Sequence, residues 1–149
     1  MKWDKDRSIV LSMAGVALFA AALLALDCGC YWVAAWFVRY HLYHFQYGAL
    51  FMVSVYAGSF FGWVCLVQLW RLLGALKKGD VFTETNVERL RRISWCCVWA
   101  AAICLASTLY YRPFLFVFVA AGFMGLIVRV VKNAFQQAVA MKNELDLTV

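Results

Sequence analysis

Four uncharged, strongly apolar runs constrain this chain more than any other feature. Residues 8–26 give 19 positions without a charge, 45–70 give 26, 93–111 again 19, and 114–128 give 15. An α-helix rises about 1.5 Å per residue, so about 20 residues cross a hydrocarbon core of about 30 Å. A chain of 149 residues that is 66% hydrophobic and 15% charged has more apolar surface than a soluble domain of that length buries. The runs are continuous, whereas the strands of a membrane barrel alternate apolar and polar positions. The expected fold is all-α: an integral-membrane four-helix bundle, threaded up and down, as a single membrane domain over 1–149. Its spans are expected at about 8–30, 48–74, 93–111 and 114–131.

The ends of the runs carry their own signals. A signal peptide would also set a basic start before an apolar stretch, but its apolar core of about 7–15 residues is shorter than 8–26, so a retained span is expected. Asp27 ends the first run, and Cys28-Gly29-Cys30 is a weak point for a helix. Eight aromatic residues between 31 and 47 have the look of a boundary belt with a short connection, because Trp and Tyr rings are amphipathic. Arg112-Pro113 reads as a tight turn, with proline suited to the first turn of the next helix. Arg129 and Lys132 can snorkel to the interface, so the fourth span lengthens through Val131. Beyond it Phe135, Ala138, Val139 and Lys142 recur on one side of a helix that should leave the membrane before residues 145–149.

Orientation follows from the basic residues. Of 14 lysines and arginines, 12 fall on the side of the two termini and of segment 77–92, leaving Arg39 and Arg112 on the other. By the positive-inside rule both termini, segment 77–92 and tail 132–149 are expected in the cytoplasm. The net charge of +6 is explained by that topology and by anionic lipid head groups, so direct nucleic-acid binding is not expected.

The polar stretch 77–95 has an internal logic. Gly79-Asp80 supplies a turn, and Thr83 is the preferred N-cap, with Glu84 in the first turn where negative charge meets the helix dipole. Phe82 and Val87 stand at the positions of a hydrophobic staple, and Thr85 with Glu88 offers a competing capping box. Glu88 and Arg92 are spaced for an ion pair. Lys77, Lys78, Arg89, Arg91 and Arg92 form a larger basic cluster than topology requires, and with Phe135, Val139 and Leu145 they make a candidate surface for a protein partner or anionic lipid.

Other candidates are isolated. Asp27 is the one acid within the apolar body, a candidate intramembrane polar site that either lies at the interface or caps a helix, or else is buried in a pair with Arg112 or Arg39. Gly58 and Gly62 are a small-xxx-small pair for helix packing, within the chain or in a homo-oligomer, and Gly122 with Gly125 marks another close contact. His41 and His44 lack a third ligand of suitable type nearby except Asp27 and the Cys28/Cys30 pair, so no metal or other cofactor is expected. The six cysteines lack paired zinc spacing, and Cys28 and Cys30 are too close for an unstrained disulfide. No nucleotide-binding, metalloprotease or serine-hydrolase motif is present, so an enzyme is not expected.

Three stretches together resemble a bacterial membrane-protein family known as domain of unknown function 2975. They are Leu23-Leu24-Ala25-Leu26-Asp27, the segment from Gly79 to Cys97 with its Phe82-Thr83, Asn86 and Leu90-Arg91-Arg92-Ile93, and the tail from Val131 to Asp146-Leu147-Thr148-Val149. Leu145 departs from the pattern, which more often has Asn before the Asp. The resemblance implies a small four-span protein of the bacterial plasma membrane without an assigned activity. Members are often encoded beside a short helix-turn-helix regulator, which implies that the cytoplasmic face holds such a regulator. The expected function is accordingly regulatory or scaffolding, by recruitment of a cytoplasmic partner. The alternative is a transporter or channel component acting as an oligomer.

Overall fold

The computed structural model describes residues 2–41 and 45–148, with side-chain surroundings at 7–36, 39 and 48–148. Four helices make up nearly all of it: α1 (Lys2–His41), α2 (Phe45–Lys78), α3 (Glu84–Ser107) and α4 (Phe114–Leu147). No strand occurs among the described residues. Each helix contains a stretch long and apolar enough to cross a membrane: Arg7–Trp36, Gly48–Lys78, Glu84–Ser107 and Phe114–Leu147. The chain is thus an all-helical, multi-pass membrane protein, as its uncharged runs predict.

α1, α2 and α4 outrun the spans read from the sequence, whereas α3 begins earlier than its expected span but stops at Ser107, short of 111. α1 does not weaken at Cys28-Gly29-Cys30 but continues to His41. A mid-helix glycine costs about 1 kcal/mol in water, but in lipid an interrupted helix leaves backbone groups without partners, at several kcal/mol each. The connection expected within 31–47 falls partly on residues 42–44, which lie outside the described residues.

Among the described residues, close backbone approach occurs only between α1 and α2, α2 and α3, and α3 and α4. Among the described residues the backbones of α1 and α4 do not approach closely, so the expected bundle is open, with Phe114 at the start of α4 reaching the cluster that holds Ala34. Lipid tails are as apolar as leucine, so no hydrophobic force drives such a chain to close on itself. Trp32, Phe60, Phe116 and Leu126 remain exposed on its outside.

Specific contacts hold each pair. Leu23 of α1 packs where a Cβ on Gly62 of α2 would sit, 3.2 Å from its Cδ2 atom, whereas nothing lies within 4 Å of such an atom on Gly58. Of the expected glycine pair, Gly62 alone makes a contact within the chain. The closest backbone approach is instead at Gly125 of α4, where a Cβ would stand 3.2 Å from the Cys97 Cβ and 3.8 Å from the Ser94 carbonyl oxygen of α3. The Ser94 hydroxyl donates across the same contact to the Gly125 carbonyl at 3.3 Å. Between α2 and α3, Ser107 Oγ lies 2.9 Å from Ser54 Oγ, which also accepts from the Tyr110 hydroxyl at 2.8 Å. Near that end the Phe114 ring gathers Phe51, Tyr110 and Tyr111, with centroids 5.8–6.0 Å away, beside buried Ala34.

Candidate functional site

The polar segment between α2 and α3 is built as a rigid corner. α2 ends in a Schellman arrangement: the Gly79 amide donates to Leu76 O and the Asp80 amide to Ala75 O, each at 3.2 Å. Gly79 takes a φ of +90°, which a residue with a Cβ adopts only with strain. Thr83 caps α3 as expected, with extended backbone and its hydroxyl accepting from the Asn86 amide at 3.4 Å. The ring against Phe82 is Phe135 of α4, with centroids 5.5 Å apart.

Asn86, which sequence reasoning passed over, is the centre of this corner. It is fully buried, with no accessible surface. Its Nδ2 donates to the carbonyls of Asp80 at 2.7 Å and Val81 at 3.0 Å, and its Oδ1 accepts from Arg89 Nη1 at 3.0 Å. The same Arg89 nitrogen donates to the Arg71 carbonyl of α2 at 3.0 Å. One side chain thus stitches the turn to the start of α3, and Arg89 ties both to α2. The signal for it in the sequence was its place three residues after Thr83, the position whose amide an N-cap satisfies.

This network divides the basic cluster that the sequence presented as one surface. Arg89 is half-buried and held by Arg71 and Asn86, so it leaves the docking surface. Arg92 pairs with Glu88 at 3.5 Å, with both side chains mostly exposed. Lys77, Lys78 and Arg91 are exposed. On α4, Phe135 is half-buried against Phe82, and Leu145 is 68% exposed. Val139 is corrected outright: at 3% exposed it is a packing residue and no contact for a partner. Arg91 turns toward α4 and lines a cavity with Arg129 and Lys132, two residues that the sequence offered only as snorkelling cations.

Asp27 lies elsewhere, in the α1–α2 contact. It sits in the middle of α1, not at a cap, and among the described residues it forms no ion pair with Arg39 or Arg112. Its Oδ2 accepts from Trp63 Nε1 at 2.9 Å, and its backbone carbonyl accepts from the Tyr56 hydroxyl at 3.3 Å. Its Oδ1 and the Ser59 hydroxyl are buried without a hydrogen-bond partner. Tyr56, Ser59 and Trp63 recur at i, i+3 and i+7 on α2, so the face that meets Asp27 was present in the sequence as a spacing. An indole donor serves here where a second charge was expected, and it holds the helices together without a buried ion pair.

The histidine pair remains untouched, since His44 and the side chain of His41 lie outside the described residues. No group of three metal-ligating side chains occurs among the described residues. Cys30 is buried and Cys28 exposed, and all six cysteines are free thiols.

Four apolar helices, each long enough to cross a membrane, define a small multi-pass membrane protein. The chain belongs to the family described as protein of unknown function DUF2975, whose model matches residues 8–149, nearly the whole length. No curated protein and no solved structure matches it.

Proposed function

We propose that this protein is a regulatory or scaffolding element of the bacterial plasma membrane that recruits a cytoplasmic protein. Both termini and the 77–92 corner face the cytoplasm in this reading. The basic-residue count supports that orientation. An up-down thread is supported by paired contacts: Asp27 meets Trp63 while Ala34 clusters with Phe51, and Ser94 meets Gly125 while Phe82 meets Phe135.

The observation that carries recruitment is the Phe82–Phe135 contact, because it joins the 77–83 turn to the extension of α4 as one polar face. Lys77, Lys78 and Leu145 stand exposed on the two pieces it connects. A partner fitting this face carries acidic groups opposite the lysines and an apolar patch opposite Leu145. The helix-turn-helix regulator implied by the family is the proposed occupant.

The test is co-purification of that regulator with the tagged full chain from native membranes. The triple variant Lys77→Glu/Lys78→Glu/Leu145→Asp should reduce its recovery by roughly tenfold or more, since rim charges and one apolar anchor are removed together. Recovery that does not change with the variant, or no regulator with the unaltered chain, counts against recruitment.

A further inference from the structure

Between α3 and α4, where their uncharged runs end, lies a cavity of about 240 Å³ lined by Arg91, Ser94, Trp95 and Val98 of α3 and by Arg129 and Lys132 of α4. We infer that this cavity is a binding site for the phosphate of an anionic phospholipid headgroup. Three cations from two helices converge on it, and no acidic side chain lines it. Among the described residues none of the three has a hydrogen-bond or ion-pair partner, in contrast to Arg89 and Arg92 of the same cluster. Like charges held together repel, and an anion placed among them turns that repulsion into attraction. Arginine and lysine donors are also the groups that phosphate oxygens accept from most strongly.

Size, rigidity and depth agree on the same ligand. The volume corresponds to about eight waters at roughly 30 Å³ each, room for a phosphate and its glycerol but not for a whole lipid. The Ser94 hydrogen bond to Gly125 and the tight Gly125–Cys97 contact lock the helix pair beside the cavity, so the backbone positions from which its cations project are set before a ligand arrives. The cavity opens where the apolar runs give way to charged residues, the depth of lipid phosphates, with Trp95 at that level as interfacial tryptophans are. Val98, which lines the cavity, is exposed, and exposed Leu126 stands three residues before Arg129 on α4, apolar surface for an acyl chain that a free anion would not need.

The site needs only insertion of the protein in a bilayer and does not depend on recruitment. Its test uses the full chain in neutral detergent, titrated with phosphatidylglycerol, with phosphatidylcholine of the same chains, and with inorganic phosphate. Phosphatidylglycerol should bind tightest, and Arg91→Gln/Lys132→Gln should weaken it by about tenfold or more. Lys77→Gln/Lys78→Gln, the same change in charge, should leave it within about twofold. Should the first variant not fold, Arg129→Gln reads the same quantity. Equal losses in both double variants would reduce the effect to diffuse charge and overturn the site. Equal binding of phosphatidylcholine would also overturn it, and binding of inorganic phosphate as tight as that of the lipid would reassign it to a soluble anion. Unchanged lipid binding with lost regulator recovery in Arg91→Gln/Lys132→Gln would assign the cavity to an acidic protein instead.

Discussion

Asn86 shows what a single buried amide does at a membrane boundary. Its two donors and one acceptor are all used, and removing them leaves the carbonyls of Asp80 and Val81 short of partners inside the corner. A buried group deprived of its partner costs about 1–3 kcal/mol. Asn86→Ala should therefore lower the apparent melting temperature in detergent by about 5 °C, on the usual scaling of about 2–4 °C per kcal/mol for a chain of this size. Glu88→Ala, which removes only the exposed i, i+4 pair with Arg92, should stay within about 2 °C, because such pairs contribute about 0.3–0.5 kcal/mol. Similar losses for the two would mean that Asn86 does not hold the corner. At the same scale Asp27 has an indole partner in Trp63 and no ion pair among the described residues.

Helix pairing is decided by a few small positions. Gly122 and Gly125 are equivalent in the sequence, yet a Cβ would find open space at the first and the Cys97 stem at the second. Gly122→Ala should leave stability unchanged or raise it by up to about 1 kcal/mol, the helix-propensity gain of alanine over glycine. Gly125→Val should lower it by about 1–3 kcal/mol, because a fixed Cβ cannot swing aside and the helices must part. Thermal unfolding of the two variants in one detergent compares them directly. Matching behaviour would remove the close α3–α4 contact from the account. The same contact shapes the cavity beside it, so Gly125→Val should also weaken phosphatidylglycerol binding.

For the whole molecule, three consecutive helix pairs, with no close backbone approach between α1 and α4 among the described residues, leave broad apolar faces toward lipid. The proposed threading has a direct check in a cysteine-free background in intact cells. A membrane-impermeant maleimide should label Arg112→Cys, on the turn before α4, and should reach Lys78→Cys only after permeabilisation. The reverse pattern would invert the protein and take the proposed cytoplasmic partner with it.

The sequence by itself determined the class and the local elements, because those depend on short-range properties. Run length against membrane thickness specifies four helices, Gly79 and Thr83 mark where α2 stops and α3 starts, and the i, i+4 spacing of Glu88 and Arg92 places their pair. It also led to the family through residues that lie close together in the chain. What it left open depends on which helix faces meet. Arg89 looks free in the sequence because the Arg71 carbonyl that ties it to α2 lies 18 residues away, Val139 because its burial depends on how the helices pack, and Arg91, Arg129 and Lys132 look unrelated until α3 and α4 lie side by side. Only the tertiary structure decided that Gly125 and not Gly58 is the close approach, that Asp27 meets Trp63, and that the helices stay open. The physical reason is common to all three: with lipid on every side, hydrophobicity selects the membrane but not the neighbour, and the choice of neighbour falls to packing and hydrogen bonds between particular residues.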